Sequence, residues 1–331
     1  MSHYHLYAIG NALVDTEYEV SDDLLHTMGV SKRHMTLIDA PQRTELLTHV
    51  QGLHARRTGG GSAGNTVVAL AQLGGKAFYS CRVANDELGA FYTQDLQANG
   101  VATNLTHTQA QHGQTGSCMV LVTPDAERSM CTFLGATSEL DASALHPQDI
   151  AKSRIYYMEG YLAASPTGLA AAVEGRQIAI AHQVATALTL SDVSMINFCR
   201  SGLEAMIGDG LDYLFANEEE AQTWCGTTDL DAIITQLSKL ATTVCLTRGP
   251  KGSIVVQGEQ RTEVPAVPTK AVDTNGAGDM FAGAFLYGIT HGQSVAQAAA
   301  LANRAASAVV SQHGNRLTAE QLQGILQGSD T

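Results

Sequence analysis

The chain has 331 residues, 44% hydrophobic and 15% charged, enough apolar material for two domains or for one large α/β domain with an insertion. A formal net charge of -13 argues against nucleic acid as a partner, and no apolar run of about 18 residues marks a membrane span. The opening residues carry no basic segment followed by a long apolar stretch, and six scattered cysteines without a Cys-x-x-Cys pair point to reduced thiols in a cytoplasmic protein.

In chain order, apolar runs and helical repeats alternate. Leu6–Asp15 reads as an apolar strand ending in a carboxylate, and Leu13–Val20 and Met35–Ile38 read as extended and half-polar. Gly64–Leu73 reads as a packed helix closing at Gly74-Gly75, Ala77–Val83 as a strand, and Glu87–Asn99 as a helix capped by Gly100. Ser117–Thr123, a turn at Pro124-Asp125 and Arg128–Phe133 predict a hairpin. Ile155–Glu159 and Ala187–Ser191 are predicted strands, with Ile178–Ala187 between them unassigned. Asp212–Ala216 runs into Asn217-Glu218-Glu219-Glu220, Thr243–Thr247 runs into Arg248-Gly249, and Asp279–Ile289 and Val295–Ser311 are Ala- and Gly-rich helices. Such alternation implies an α/β fold whose mostly parallel sheet is covered on both faces. The hairpin and the half-polar segments imply a small sheet standing off it, a natural lid.

The run Asp273-Thr274-Asn275-Gly276-Ala277-Gly278-Asp279 precedes Phe281, Phe285 and Ile289 at helical spacing. A helix starting at or just before Asp279 leaves the amides of Gly276, Ala277 and Gly278 at the positive end of its dipole, an anion hole that a phosphate can approach closely. A carboxylate placed there repels the anion, which makes sense if it has chemistry to perform. Phosphoryl transfer to an alcohol needs an in-line acceptor oxygen and a base for its proton. The competing reading is an N-cap followed by a glycine turn.

From Asp273 through Leu286 this run resembles the C-terminal signature of the ribokinase-like carbohydrate kinases, the PfkB family, and Gly60–Thr66 (GGSAGNT) is similar to that family's N-terminal signature. GNALVD near the N-terminus and EGYL at Glu159–Leu162 resemble the adenosine-kinase-like branch. The resemblance implies one doubly wound α/β kinase domain over residues 1–331, with lid segments at approximately 12–58 and 104–135. It implies Asp279 as general base, with the amides of Gly276, Ala277 and Gly278 as the anion hole.

Asn11 and Asp15 lie at the C-terminal end of the first predicted strand, where open α/β sheets place ligands. Alone, such an Asp is more often a turn residue; the resemblance puts Asp15 on ribose hydroxyls. It also implies acceptor contacts for the backbone of Gly60 and Gly61, for Asn65 and for Glu159. Met119, Cys131 and Phe133 alternate on the predicted hairpin and either cover the acceptor or simply pack. Gly59, Gly61 and Gly64 fit G-x-G-x-x-G, with Asp86 downstream, but no apolar strand precedes them and the first strand lacks the glycines, so a dinucleotide site is set aside.

On the donor side the resemblance implies ATP, with Asn217 and Glu220 helping to hold Mg²⁺ largely through water. Thr247, Gly249 and Gly252 would meet phosphates and ribose, Arg248 and Lys251 would add local positive charge, and Asn303 would lie near the adenine. The acidic stretch after Asn217 also reads as a plain first helical turn. Asp273, Asn275, Val309 and Gly314 are the positions that would hold a monovalent cation such as K⁺. There is no G-x-x-x-x-G-K-[ST] loop and no protein-kinase H-R-D or D-F-G set. The expectation is a small-molecule kinase acting on a sugar or nucleoside, as a monomer or homodimer. The alternative is a silent binding module of the same fold, which the retained Asp279 disfavours.

Overall fold

The computed structural model describes residues 3–32, 34–106, 112–125 and 127–328. The expected lid segments 12–58 and 104–135 include residues 33, 107–111 and 126, which lie outside the described residues. In chain order the strands are β1 (Tyr4–Ile9), β2 (Leu13–Glu19), β3 (Met35–Leu37), β4 (Ala55–Gly60), β5 (Ala77–Ser80), β6 (Ala102–Thr103), β7 (Ser117–Val122), β8 (Arg128–Phe133), β9 (Ser153–Glu159), β10 (Ala185–Thr189), β11 (Leu211–Asn217), β12 (Ala241–Thr247), β13 (Ser253–Gln257) and β14 (Gln260–Val264).

Nine of them form one sheet in the order β14-β13-β12-β11-β10-β9-β1-β5-β6, parallel from β6 to β12 and closed at the far edge by antiparallel β13 and β14. From β1 the chain winds outward to β5 and β6; from β9 it winds the other way. The reversal falls between β1 and β9, and open α/β sheets bind ligands outside the carboxyl ends of the strands at such a point. Helices Ser62–Gln72, Ala277–Thr290 and Val295–Val310 bury Val67, Leu70, Phe281, Phe285 and Leu301 on one face. Helices Pro166–Ala181, Arg200–Ile207 and Leu230–Leu237 bury Ala171, Leu203 and Ile233 on the other.

The predicted strand Leu6–Asp15 divides in two. Residues Leu6–Ile9 are buried without a break, as in a sheet covered on both faces, whereas Leu13–Glu19 alternates partly buried with buried positions. The break is at Gly10, where a Cβ would sit 2.5 Å from Glu159 Oε2. β1 therefore stays in the large sheet and β2 passes into a second sheet, ordered β3-β8-β7-β2-β4. The unassigned stretch Ile178–Ala187 is the end of helix Pro166–Ala181 followed by β10.

One face of the small sheet has its own core, in which Tyr18, Met119, Leu121 and Cys131 meet Leu25 and Leu46 from helices Asp22–Thr27 and Ala40–His49. Met119 and Cys131 thus pack within the small sheet, while the Arg43 guanidinium lies 5.5 Å over the Phe133 ring. The opposite face carries an in-register row: Leu37 on β3, Thr132 on β8, Cys118 on β7, Asp15 on β2 and Thr58 on β4. Edge strand β4 exposes Arg56 and Arg57, charges that blunt an open sheet edge. No helix among the described residues is long and apolar enough to cross a membrane.

Candidate active site

Gly276, with φ of +76°, occupies the N-cap of helix Ala277–Thr290, so Asp279 lies in the first helical turn and is not the cap. A Cβ at Gly276 would come within 2.7 Å of the Asn315 carbonyl, whereas one at Gly278 would meet nothing within 4 Å. The turn is thus held tightly from below and left open above, with first-turn amides that no helical carbonyl can accept from.

The Asp279 carboxylate is fixed by the neighbouring helix Ser62–Gln72. Ser62 Oγ donates to Oδ1 at 2.6 Å and Asn65 Nδ2 donates to Oδ2 at 3.0 Å. Burial pushes the Asp279 carboxyl up to about 6, and Ser62, Asn65 and the charge of Arg316 restrain the rise. Arg316 also orients Asn65: its Nε donates to Asn65 Oδ1 at 2.8 Å, while its Nη1 sits 2.6 Å from Asp95 Oδ2. A Cβ on Gly59 would lie 2.3 Å from Asp95 Oδ2 and 2.9 Å from Arg316 Nη1, so the bare backbone there makes room for the ion pair.

Where the acceptor was expected, Asp15 Oδ2 accepts from Asn315 Nδ2 at 2.9 Å, and its carboxylate lies against Gly60, where a Cβ would be 2.5 Å away. Burial raises the Asp15 carboxyl to about 6 against the pull of Arg316, Asn315 and Arg128. Gly61 has φ of +86° and packs on the Asn11 carbonyl, 2.1 Å from where a Cβ would be. Asn11 Oδ1 accepts from Thr137 Oγ1 at 3.2 Å, and the Asn11 carbonyl accepts from Tyr79 Oη at 2.9 Å. Glu159 is wholly buried and accepts the amides of Asn11 at 2.7 Å and Ala63 at 2.8 Å, tying the ends of β1 and β9 to the start of helix Ser62–Gln72.

Asn217 and Glu220 form a reciprocal capping box at the start of helix Glu218–Cys225. Asn217 Nδ2 donates to Glu220 Oε1 at 2.7 Å, and the Asn217 amide donates to Oε2 at 3.0 Å. Burial, then Asp192, Asp279 and Glu219, push the Glu220 carboxyl up to about 7. Thr247 ends β12; Gly249 and Gly252 follow it with φ of +54° and +87°. Arg248 and Lys251 both reach Glu218, at 3.1 Å each. Asn303 donates to the carbonyls of Val264 and Pro265, at 2.9 and 3.1 Å. Among the positions expected to hold a monovalent cation, Val309 is fully buried, and Asp273 Oδ1 accepts the Asn275 amide while its Oδ2 accepts that of Gly314.

Sequence reasoning did not single out Ser62, Asn315 or Arg316. Ser62 lies inside GGSAGNT. Arg316 follows His313-Gly314-Asn315, a basic residue closing a turn in an acidic chain, which is the one local signal available. Through that turn, Gly314 reaches Asp273, Asn315 reaches Asp15 and Gly276, and Arg316 reaches Asn65.

Asp15, Asp279, Glu159 and Glu220 are all raised, Glu159 to about 7 by burial. A carboxyl raised on folding retains protons that the unfolded chain has released. Its contribution to stability is therefore complete below the unfolded value and is lost as pH climbs through the folded value. The thermal midpoint should fall between about pH 4 and pH 7, less steeply in Asp279→Asn than in wild type. Superimposable pH profiles for the two proteins would contradict the raised Asp279.

A kinase of small molecules is the class this architecture and site define. The sequence matches the pfkB family carbohydrate kinases over residues 32–322, and the chain belongs to that family. It is 26% identical to an adenosine kinase of Schizophyllum commune, over 95% of this chain and 97% of that protein. The crystal structure of adenosine kinase from Sinorhizobium meliloti superposes with a TM-score of 0.88 at 38% identity, covering 99% of both chains. A probable sugar kinase from Rhizobium etli CFN 42 also gives 0.88, at 34% identity over the full length of both. The chain is therefore a phosphotransferase of the adenosine kinase and ribokinase type, acting on a nucleoside or sugar and drawing on ATP.

Proposed function

We propose that this kinase transfers the γ-phosphoryl group of ATP to the hydroxymethyl group of a nucleoside, adenosine-like in shape, with Asp279 as general base. Asp279 takes the acceptor proton as the oxygen attacks phosphorus, the bond to ADP breaks, and the amides of Gly276, Ala277 and Gly278 stabilise charge on the transferring phosphoryl oxygens. The carrying observation is the Asp279 carboxylate, held by Ser62 and Asn65 at the mouth of a helix N-terminus. Its raised proton affinity, near 6, suits a base that is free at neutral pH yet retains driving force.

The donor set at Asn217 and Glu220 is all oxygen, and crowding with Asp192 and Asp279 favours a positive charge there. These residues fit Mg²⁺ held through water, which supplies charge neutralisation of the phosphates when bound. Four buried and two part-buried free cysteines fit a reducing cytoplasmic compartment.

A nucleoside is favoured over a bare sugar by the row on the small sheet. Asp15 is suited to accept hydrogens from two ribose hydroxyls. Two strands away in the same row is Thr132, which with Leu37, Leu134, Ala136 and Gln114 lines a cavity of about 510 Å³, room for a planar base. A coupled assay of ADP release with adenosine, inosine, guanosine, ribose, fructose and 2-keto-3-deoxygluconate should show the highest kcat/KM with a nucleoside. A preference for any of the three sugars would overturn that assignment.

A further inference from the structure

We propose that Arg128 of the small sheet supplies the positive charge at Asp273, and that this kinase consequently works without a monovalent cation. The proposal rests on the kinase reading above and concerns the positions Asp273, Asn275, Val309 and Gly314.

Asp273 has a side chain only 5% exposed, and a carboxylate buried to that degree requires compensation. Both of its oxygens are already engaged: Oδ1 accepts the Asn275 amide at 3.0 Å, and Oδ2 accepts the Gly314 amide at 3.1 Å and lies 3.2 Å from Arg128 Nη1. The Val309 carbonyl accepts the Gln312 amide at 3.4 Å, and the neighbouring Val310 carbonyl accepts the amides of Val272 and Asp273. Asp273 and Val309 thus already spend acceptor capacity on backbone amides, and any ion beside Asp273 would also face a guanidinium of like charge. Arg128 is itself held in place, its Nη2 lying 2.7 Å from Glu17 Oε2 on β2.

An ion from solution would reach Asp273 whatever the small sheet was doing. Arg128 is tethered to β8, so here the charge arrives only with the sheet. Asp273 precedes the anion-hole turn at Gly276 by three residues, and the charge that steadies that turn is thereby tied to the position of the lid.

The test compares potassium chloride with tetramethylammonium chloride at constant ionic strength, for wild type and Arg128→Gln. It follows the thermal midpoint without nucleotide and turnover with the best acceptor. Wild type should be indifferent to the exchange in both measurements. Arg128→Gln should melt lower and regain part of the loss in potassium alone, because an ion that binds only the folded state raises its midpoint. Severalfold stimulation of wild type by potassium, or no potassium-specific rise in the variant's midpoint, would overturn the proposal. Should Arg128→Gln fail to fold, wild type and the charge-retaining Arg128→Lys decide the matter, both expected to be indifferent. Absence of turnover with every acceptor would sink the kinase reading instead, and the midpoints would still decide this one.

Discussion

Asp279→Asn should fold at least as stably as wild type and lose phosphoryl transfer by at least about a hundredfold, the usual worth of a positioned base. The replacement is isosteric and keeps its bonds: an amide oxygen can accept from Asn65 Nδ2, and an amide nitrogen can donate to Ser62 Oγ. It also removes a carboxylate whose ionisation burial makes costly. Circular dichroism melts would establish the fold, and steady-state kinetics the loss. Turnover close to wild type in a folded protein would refute the assignment of base. Equal losses in kcat and kcat/KM would mark an interaction made only in the transition state.

Arg316→Met should act twice. Removing its guanidinium, which is 10% exposed, strands the Asp95 carboxylate, which is 22% exposed, without its partner. The cost should be about 2–3 kcal/mol, near or below the low end of the range for a buried pair. Catalysis should fall by roughly tenfold or more, because Asn65 loses the bond that aims its amide at Asp279. The readout that separates this from mere loosening is the acid limb of kcat/KM. Arg316 holds the Asp279 carboxyl down, so its removal should shift that limb to higher pH. Arg316→Lys retains charge without the planar fork, and should restore the limb more fully than the rate. A limb that stays put in Arg316→Met would reduce Arg316 to a structural strut.

The sequence made the large sheet readable where physics leaves a strong local mark. Continuous apolar runs such as Leu6–Ile9 and Val244–Leu246 signal strands buried on both faces. Helix Pro166–Ala181 gave no such mark, because its Ala and Gly residues are spread around the axis without a stripe. β4 was hidden for the opposite reason, since Arg56 and Arg57 belong to an edge that needs charge more than it needs apolar residues. In the site, Asp279 and its glycines could be read because they share one short run. Arg316 and Asn315 could not, because their partners Asn65 and Asp15 are 251 and 300 positions away, and no local pattern encodes such a meeting.

That last separation bears on how the protein is made. Asp15 leaves the ribosome 300 residues ahead of Asn315, which holds its carboxylate. At roughly 5–20 residues per second the interval is on the order of 15–60 s. For that time a nascent chain can hold β1, β2 and the GGSAGNT turn while the turn that joins them to the anion hole does not yet exist. Acceptor affinity should accordingly appear late in synthesis and abruptly, and a ribosome-bound chain that ends before Asn315 should capture no nucleoside.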